Sequence, residues 1–379
     1  MLNDPVGLLE VIKMNWSFEH ITTWEGVLSA TFQDRWRRWA NEASNPNVFL
    51  HPAMGNAWIE TYRKLRCIEP KFIVAKSGKL EFFVPLILWR RNWKHAAQRV
   101  LTSIGHSDFD YLEPLGVNLD SNSSWDRIWE PLILEIQSRW GSLYDIFELG
   151  CIRSPYIGAM NLFTQVDESP FLDLSSFSSG EEFWNWMGSK QRTEIRRRQR
   201  KLEQLGSIDF HVFRPEEEHL AQDSLLEMLK THSCRWPNAY KAPGFHRNLI
   251  SHLLRAGILH FSEIRLNGRA ISWRIGFVSN SRFHSYMPAF LQEYSTYSPG
   301  ILHMVKCIED AIRMGFKTYD YLRGAETYKE GWTSGTTGIF RLVRSGKTFN
   351  SCLRNFGSIA IGELAVRSRT LSRSLRLPR

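Results

Sequence analysis

One arrangement recurs in this sequence and constrains the fold more than any other feature. Two helical stretches are followed by an alternating strand, a tight turn and a longer strand. In the first copy the helices are Glu25 to Ser44 and Pro52 to Leu65, and the hairpin runs from Lys71 to near Arg90. In the second copy they are Pro215 to Trp236 and Gly244 to Arg255, with the hairpin at Leu259 to Val278. Asn267-Gly268 is a strong two-residue hairpin turn, because both positions favour positive φ; Ser77-Gly78 is a weaker one. Ile271, Trp273, Ile275 and Phe277 share one strand face at period two. The rhythm predicts two related α/β halves, each a hairpin sheet with flanking helices.

Turn residues suggest where the halves join. Glu168-Ser-Pro and the run Ser175 to Gly180 read as a connecting loop, giving halves of 1–170 and 171–350, then a helix and basic tail over 351–379. A chain of 379 residues suits two or three domains at ~150 residues each. A long helix is predicted from Glu181 to Leu205, closed by Gly206. Trp184, Met187, Gln191, Ile195, Arg198, Leu202 and Leu205 form its packed stripe. The other faces carry Arg192, Arg196, Arg197, Arg200 and Lys201. These cations fit a solvated face, a clamp for an anionic substrate such as a sugar nucleotide, or a tRNA contact.

A net charge of +9 and a pI near 9.3 suit an anionic partner: a nucleotide phosphate, a tRNA or a membrane surface. Part of the excess lies in the tail from Arg367 to Arg379, which reads as a solvated end. Five scattered cysteines form neither a metal motif nor a disulfide framework, which favours a reducing, cytoplasmic setting with no metal. The longest apolar run, Phe82 to Trp89, falls far short of the ~20 residues that span a bilayer. Asp4, Glu10 and Lys13 break any signal segment. No DNA- or RNA-recognition motif is present. The 15 tryptophans suit large cores and pockets for flat ligands.

After a strand at Arg282 to Pro288 comes Tyr297-Ser298-Pro299-Gly300, then a helix whose stripe is Ile301, Leu302, Val305, Ile308 and Ile312, ended by Gly315. Ser298 is a favourable N-cap, Pro299 suits the first helical position, and Gly300 leaves its backbone open to approach. Unpaired N–H groups and the helix dipole make such a turn a natural cradle for a diphosphate. Equally, these residues describe an ordinary well-capped helix. A short strand, Thr318 to Leu322, follows.

Three segments carry a family resemblance: Ser189 to Gly206, Tyr297 to Leu302, and Tyr319 to Trp332. With His232, Arg235 and Trp236, they resemble the GNAT-superfamily acetyltransferases of the CelD-like, cellulose-biosynthesis-associated kind, relatives of the Fem aminoacyltransferases. The resemblance implies an α/β (α+β) tandem GNAT-like fold of two mixed-sheet halves with flanking helices, with acetyl-CoA or another acyl-CoA as co-substrate in the C-terminal half. It places Tyr297, Ser298, Pro299, Gly300, Ile301 and Lys329 at the donor. The usual GNAT phosphate loop is absent, and Ser298 to Ile301 take its place. Fem relatives use aminoacyl-tRNA instead.

The chemistry so implied is attack of a neutral amine on a thioester. It needs a proton acceptor and a preorganised donor for the oxyanion, expected in the backbone between Phe283 and Met287. Asp320 fits a base or acceptor-orienting role, or a salt bridge to Arg323. Glu326, Tyr328 and Lys329 match the family's Gly-x-Glu-x-Tyr-Lys pattern. Arg196, His232, Arg235, Trp236, His284 and Tyr286 are candidates for the acceptor site, though His232 also reads as a core-edge histidine. His106, Asp108 and Asp110 fit turn chemistry or contact with an acceptor between the halves. The resulting expectation is an N-acyltransferase acting on an amino sugar or other small amine in envelope or exopolysaccharide synthesis. The alternatives are an aminoacyl-tRNA-dependent transferase and a non-catalytic ligand-binding scaffold.

Overall fold

The computed structural model describes residues 15–358, apart from short stretches at 93–94, 107, 120–122, 159–161, 238–241, 325, 327–328, 347 and 356. The first half runs β1 (Ser17–Ile21), α1 (Trp24–Leu28), α2 (Ala30–Glu42), α3 (Pro52–Leu65), β2 (Cys67–Ser77), β3 (Leu80–Arg90), β4 (Arg99–Ser103), β5 (Leu115–Val117), α4 (Ser123–Trp140), β6 (Ile146–Arg153) and β7 (Thr164–Asp173). The second runs α5 (Gly180–Trp186), α6 (Ser189–Glu203), β8 (Ile208–Val212), α7 (Glu218–Arg235), α8 (Phe245–Arg255), β9 (Leu259–Leu266), β10 (Arg269–Ser279), β11 (Arg282–Phe290), α9 (Pro299–Arg313), β12 (Thr318–Asp320) and β13 (Gly335–Ser345).

All strands among the described residues join one mixed sheet in the order β1-β2-β3-β4-β6-β13-β7-β12-β11-β10-β9-β8, with β5 beside β3. The order is a palindrome of two six-stranded halves. Each half is an antiparallel meander ending in one parallel pair, β4 with β6 and β11 with β12. The sixth strand of each is exchanged. β7 follows β6 in the chain but pairs with β12 of the second half, while β13 pairs with β6 of the first. The two exchanged strands pair antiparallel from Gly335 opposite Phe171 to Arg341 opposite Thr164. The chain then returns to the first half, where Ser351 Oγ donates to Asp145 Oδ1 at 2.9 Å.

Local chemistry explains most elements. The β9–β10 turn is Asn267-Gly268, both at positive φ, as expected of a two-residue hairpin. The β2–β3 turn is Gly78-Lys79, since Ser77 pairs with Leu80; it lies one residue beyond the expected Ser77-Gly78. α3 starts on Pro52 and keeps Lys64 and Arg63 in its last turn, where the dipole favours cations. Aromatic side chains fill the first core: Trp39 stacks on Phe83 at 4.8 Å, and Trp36 and Phe72 meet edge to face. Each such burial contributes ~1.5–3 kcal/mol.

Three further expectations change. The helix predicted from Glu25 is broken at Ser29, whose hydroxyl accepts from Phe32 N–H and starts α2. The helix predicted from Glu181 to Leu205 is two helices, because Met187 and Gly188 are extended. Glu168-Ser-Pro is mid-strand in β7 rather than a loop. Pro170 is tolerated there because the β12 ladder begins only at Phe171. The tail beyond residue 358 lies outside the described residues. Among the described residues, no helix is long and apolar enough to cross a membrane.

Candidate active site

The seam between the halves is lined by the loop 104–114, the ends of β6 and β12, and the middle of β7. Asp320, on β12, is buried there. It accepts hydrogen bonds from Tyr111 Oη at 2.8 Å, Leu322 N–H at 2.9 Å, Ser169 Oγ at 3.2 Å and Arg282 at 3.3 Å. His284 Nδ1 stands 3.5 Å away. Burial alone would raise this carboxyl. The hydrogen bond and charge of His284, the charge of Arg282 and the Tyr111 hydroxyl outweigh it and hold Asp320 well below the usual carboxylate range. His284 is itself pushed below its ordinary value by burial, so Arg282 is the lasting cationic partner near neutrality. An acid held so far down is a fixed anion and a poor proton acceptor. The geometry makes Asp320 an anchor for its neighbours, and its guanidinium partner is Arg282 rather than Arg323.

The two acids of the first-half loop part company. Asp108 accepts from Trp58 Nε1 at 3.1 Å and Tyr62 Oη at 2.8 Å and holds the loop to α3. Asp110 turns to the seam, with Arg323 at 3.8 Å. Its side chain keeps 19% of its surface exposed. Even so, surrounding protein pushes it up to about 7, helped by the charges of Asp320 and Asp167 and opposed by Arg323 and Lys329. Arg323 also lies 3.6 Å from Asp167 and donates to Cys151 Sγ at 2.8 Å. Cys151 is buried at φ 57°, a left-handed conformation rare for a non-glycine residue.

Behind the seam, β11 and β12 run side by side for three residue pairs only, Arg282–His284 with Thr318–Asp320. β12 then turns away while β11 continues to Phe290. A β-bulge marks the divergence: Gly276 pairs with Ser285 and Ile275 with Met287, leaving Tyr286 as the extra residue. Glycine at 276 is required here, since a Cβ would lie 2.8 Å from the Phe283 ring. His284 and Tyr286 both pack towards Phe277 and Phe49.

α9 begins beside this divergence. Ser298 is left-handed and its side chain does not cap the helix, contrary to the expected N-cap. Its hydroxyl instead takes a hydrogen bond from Arg198 of α6. Ile301 and Leu302 N–H donate to the Ser298 carbonyl, and Pro299 has no N–H. Gly300 is left as the amide of this turn with no hydrogen-bond partner among the described residues. The space of a Gly300 Cβ is bounded by the Phe290 ring at 3.2 Å. Arg198 also donates to Glu194 Oε1 at 2.6 Å, so its charge beside this helix N-terminus is shared with a carboxylate. The turn offers a phosphate group one amide, one hydroxyl and a guanidinium that it would share with Glu194, fewer bare amides than the sequence suggested. Tyr297 and Ile301 pack at the edge of the α9 core.

The remaining candidates fall into three places. His232, Arg235 and Trp236 gather at the end of α7, near β11: Arg235 lies 5.8 Å from the Phe290 ring, and Tyr286 lies 6.4 Å from His246, which burial pushes down to about 4. Lys329 is buried. It donates to Gly324 O at 2.8 Å and pairs with Glu326 at 2.6 Å, pinning its own turn. Tyr328 lies outside the described residues. Arg196 sits apart, 5.2 Å over the Trp184 ring, in a cavity of about 770 Å3 with Glu309 and Arg313. Among the described residues no group of acids, histidines and cysteines could hold a metal ion.

Comparison with known proteins agrees with this architecture. Residues 189–330 match the family described as Acetyltransferase (GNAT) domain. The solved structure of FemX superposes with a TM-score of 0.56 at 9% identity, covering 86% of this chain and 96% of that one. A conserved protein of unknown function from Bacteroides thetaiotaomicron VPI-5482 gives 0.52 at 13% identity, covering 87% and 99%. A tandem GNAT protein from the clavulanic acid biosynthesis pathway gives 0.49 at 10%, covering 88% and 99%. A search of curated proteins finds no match. The chain therefore shares the overall mixed α/β fold of FemX, and residues 189–330 of its second half match the GNAT domain model.

Proposed function

We propose that this chain is an N-acyltransferase that takes an acyl group from acetyl-CoA or another acyl-CoA and delivers it to an amine between the two halves. The observation that carries the reading is the divergence of β11 from β12 beside the first turn of α9. Arg198, the Ser298 hydroxyl and the Gly300 amide hold the diphosphate of the donor. Main-chain N–H groups within Ser285–Met287, no longer flanked by β12, face the oxyanion of the tetrahedral intermediate. Asp110, whose proton affinity lies near neutral pH, takes a proton from the bound ammonium so that the neutral amine attacks the thioester carbonyl; the tetrahedral intermediate then collapses with cleavage of the C–S bond, and coenzyme A leaves as a thiolate that is protonated from water. Asp320 keeps Tyr111, Arg282 and His284 in place around it. An amino sugar or small amine of envelope or exopolysaccharide synthesis is the acceptor that the CelD-like resemblance implies. A cytoplasmic donor pool suits the five free cysteines.

Thermal-shift titration with acetyl-CoA and free coenzyme A, followed by thiol release over a panel of amines, tests the reading. A rise in melting temperature that saturates with donor, and thiol release that needs an amine, are the expected results. Salt-sensitive tRNA binding with no response to any acyl-CoA would replace this reading with an aminoacyl-tRNA-dependent one. Donor binding without turnover would leave a ligand-binding scaffold.

A further inference from the structure

A cavity of about 670 Å3 lies between the last turns of α7, the start of β10 and the end of β11. Its floor is Trp273, buried to 1% exposure, and Phe290 and Leu291 form a wall. Lys230, Arg235 and Arg269 stand around it against a single acid, Glu227. Arg269 is occupied by Glu293 at 3.1 Å. Lys230 and Arg235 have no carboxylate partner among the described residues. Arg235 is held in place by lying over the Trp236 and Phe290 rings at 5.5 and 5.8 Å. An apolar trough with two unpaired cations beside it matches an amphipathic organic anion: the body on Trp273 and Phe290, the charge at Lys230 and Arg235.

The cavity is joined to the site already described. The same Phe290 ring that walls it bounds the place of a Gly300 Cβ. Along β11 the distance from Phe290 to Met287 is ~10 Å, at ~3.3 Å per strand residue. We propose that this cavity binds the anionic end of the acyl acceptor, so that the acceptor is an amine carrying a carboxylate or phosphate at the far end of an apolar segment. This rests on the acyltransfer reading, which the test below is arranged to separate from it.

Cys234 lines the cavity and is exposed; Cys67 and Cys352 are exposed elsewhere and serve as internal standards. Alkylation by iodoacetamide is followed by mass spectrometry with octanoate, octanol or octylamine added. Octanoate at ten times its Kd slows Cys234 about tenfold, as occupancy requires, and leaves Cys67 and Cys352 unchanged. Octanol and octylamine protect weakly, and Lys230→Ala with Arg235→Ala abolishes the effect. In turnover with acetyl-CoA, aminooctanoate has a KM about tenfold below that of octylamine, one charge-assisted contact's worth. The double variant loses that preference with its acetyl-CoA thermal shift intact. Equal protection by octylamine, or no protection while acetyl-CoA still binds, overturns this proposal and leaves the acyltransfer reading standing. Protection by octanoate with no thiol release from any amine overturns the acceptor assignment together with the acyltransfer reading.

Discussion

The Tyr111 hydroxyl donates to the Asp320 carboxylate at 2.8 Å, joining two residues 209 positions apart in the chain. One lies on a first-half loop and the other on β12. Their contact, with Ser169 of the exchanged β7 beside both, is where the two halves share one buried polar cluster. Removing one member takes a hydrogen bond from its neighbours in a place water reaches poorly, so the cluster is sensitive to single changes.

Asp320→Asn removes the fixed anion that holds Arg282 and accepts from Tyr111. The expected cost is ~2 kcal/mol or more of stability, measured from urea midpoints. The native carboxyl is held below its unfolded value. Its contribution is therefore complete above the unfolded value near ~4 and is lost as pH falls through the lower native value. The wild type should lose stability more steeply than the variant below that point.

Asp110 has the opposite sign. Its native affinity for a proton, about 7, lies above the unfolded value. The native state binds more protons between these values, so stability falls as pH rises from ~4 to 7 and stays lower beyond. Asp110→Asn should flatten that slope and make the protein more stable than the wild type at pH 8. If Asp110 is the proton acceptor, the same change lowers kcat/KM by ~100-fold or more and removes the limb of the pH profile near 7. A variant with the wild-type profile would exclude it from that role.

At the donor turn, Arg198→Ala should raise the Kd for acetyl-CoA about tenfold, the scale of one charge-assisted contact with a phosphate. Its effect should shrink as salt rises. Gly300→Ala should act less strongly, because the added methyl meets the edge of Phe290 at 3.2 Å, a contact that a small ring shift relieves. Calorimetric titration of both variants checks the order.

Strand exchange predicts one unfolding transition. Ten of the fifteen tryptophans precede residue 170, so fluorescence reports chiefly on the first half, whereas circular dichroism reports on both. Coincident urea curves are expected, since neither half keeps its sixth strand once the other opens. Two separated transitions would show that β7 and β13 contribute little to coupling.

Much of this architecture is legible in the residues, and the reasons differ by element. Asn267-Gly268 carries its own backbone preference, so the β9–β10 hairpin can be read locally. Pro299 and the stripe from Ile301 to Ile312 do the same for α9. What escapes is non-local or self-contradictory in sequence. β7 and β13 find partners on the far side of the chain, which no periodicity encodes. Their interruptions, Pro170 and Gly338, read as loop. α4 carries Pro131 within it, which conceals a helix. In the site, Asp108 and Asp110 are indistinguishable as letters; only the fold shows that one braces Trp58 and Tyr62 while the other meets Arg323. Lys329 matches a family pattern, yet its amine is committed to the carbonyls of its own turn. The cavity at Trp273 assembles from α7, β10 and β11; the sequence marks Trp273 by strand periodicity and Arg235 by family pattern, but not that the two meet.

The crossing of β7 and β13 also has a consequence for the order of synthesis. On the ribosome the first half emerges with β6 made and its eventual neighbour, β13, still about 190 residues from completion, as the ranges Ile146–Arg153 and Gly335–Ser345 require. Until then one strand edge of a Trp-rich domain lacks its final cover, the kind of surface that invites pairing with other chains. Temporary pairing of β7, the next strand in the chain, with β6 would cover that edge until the last strand arrives.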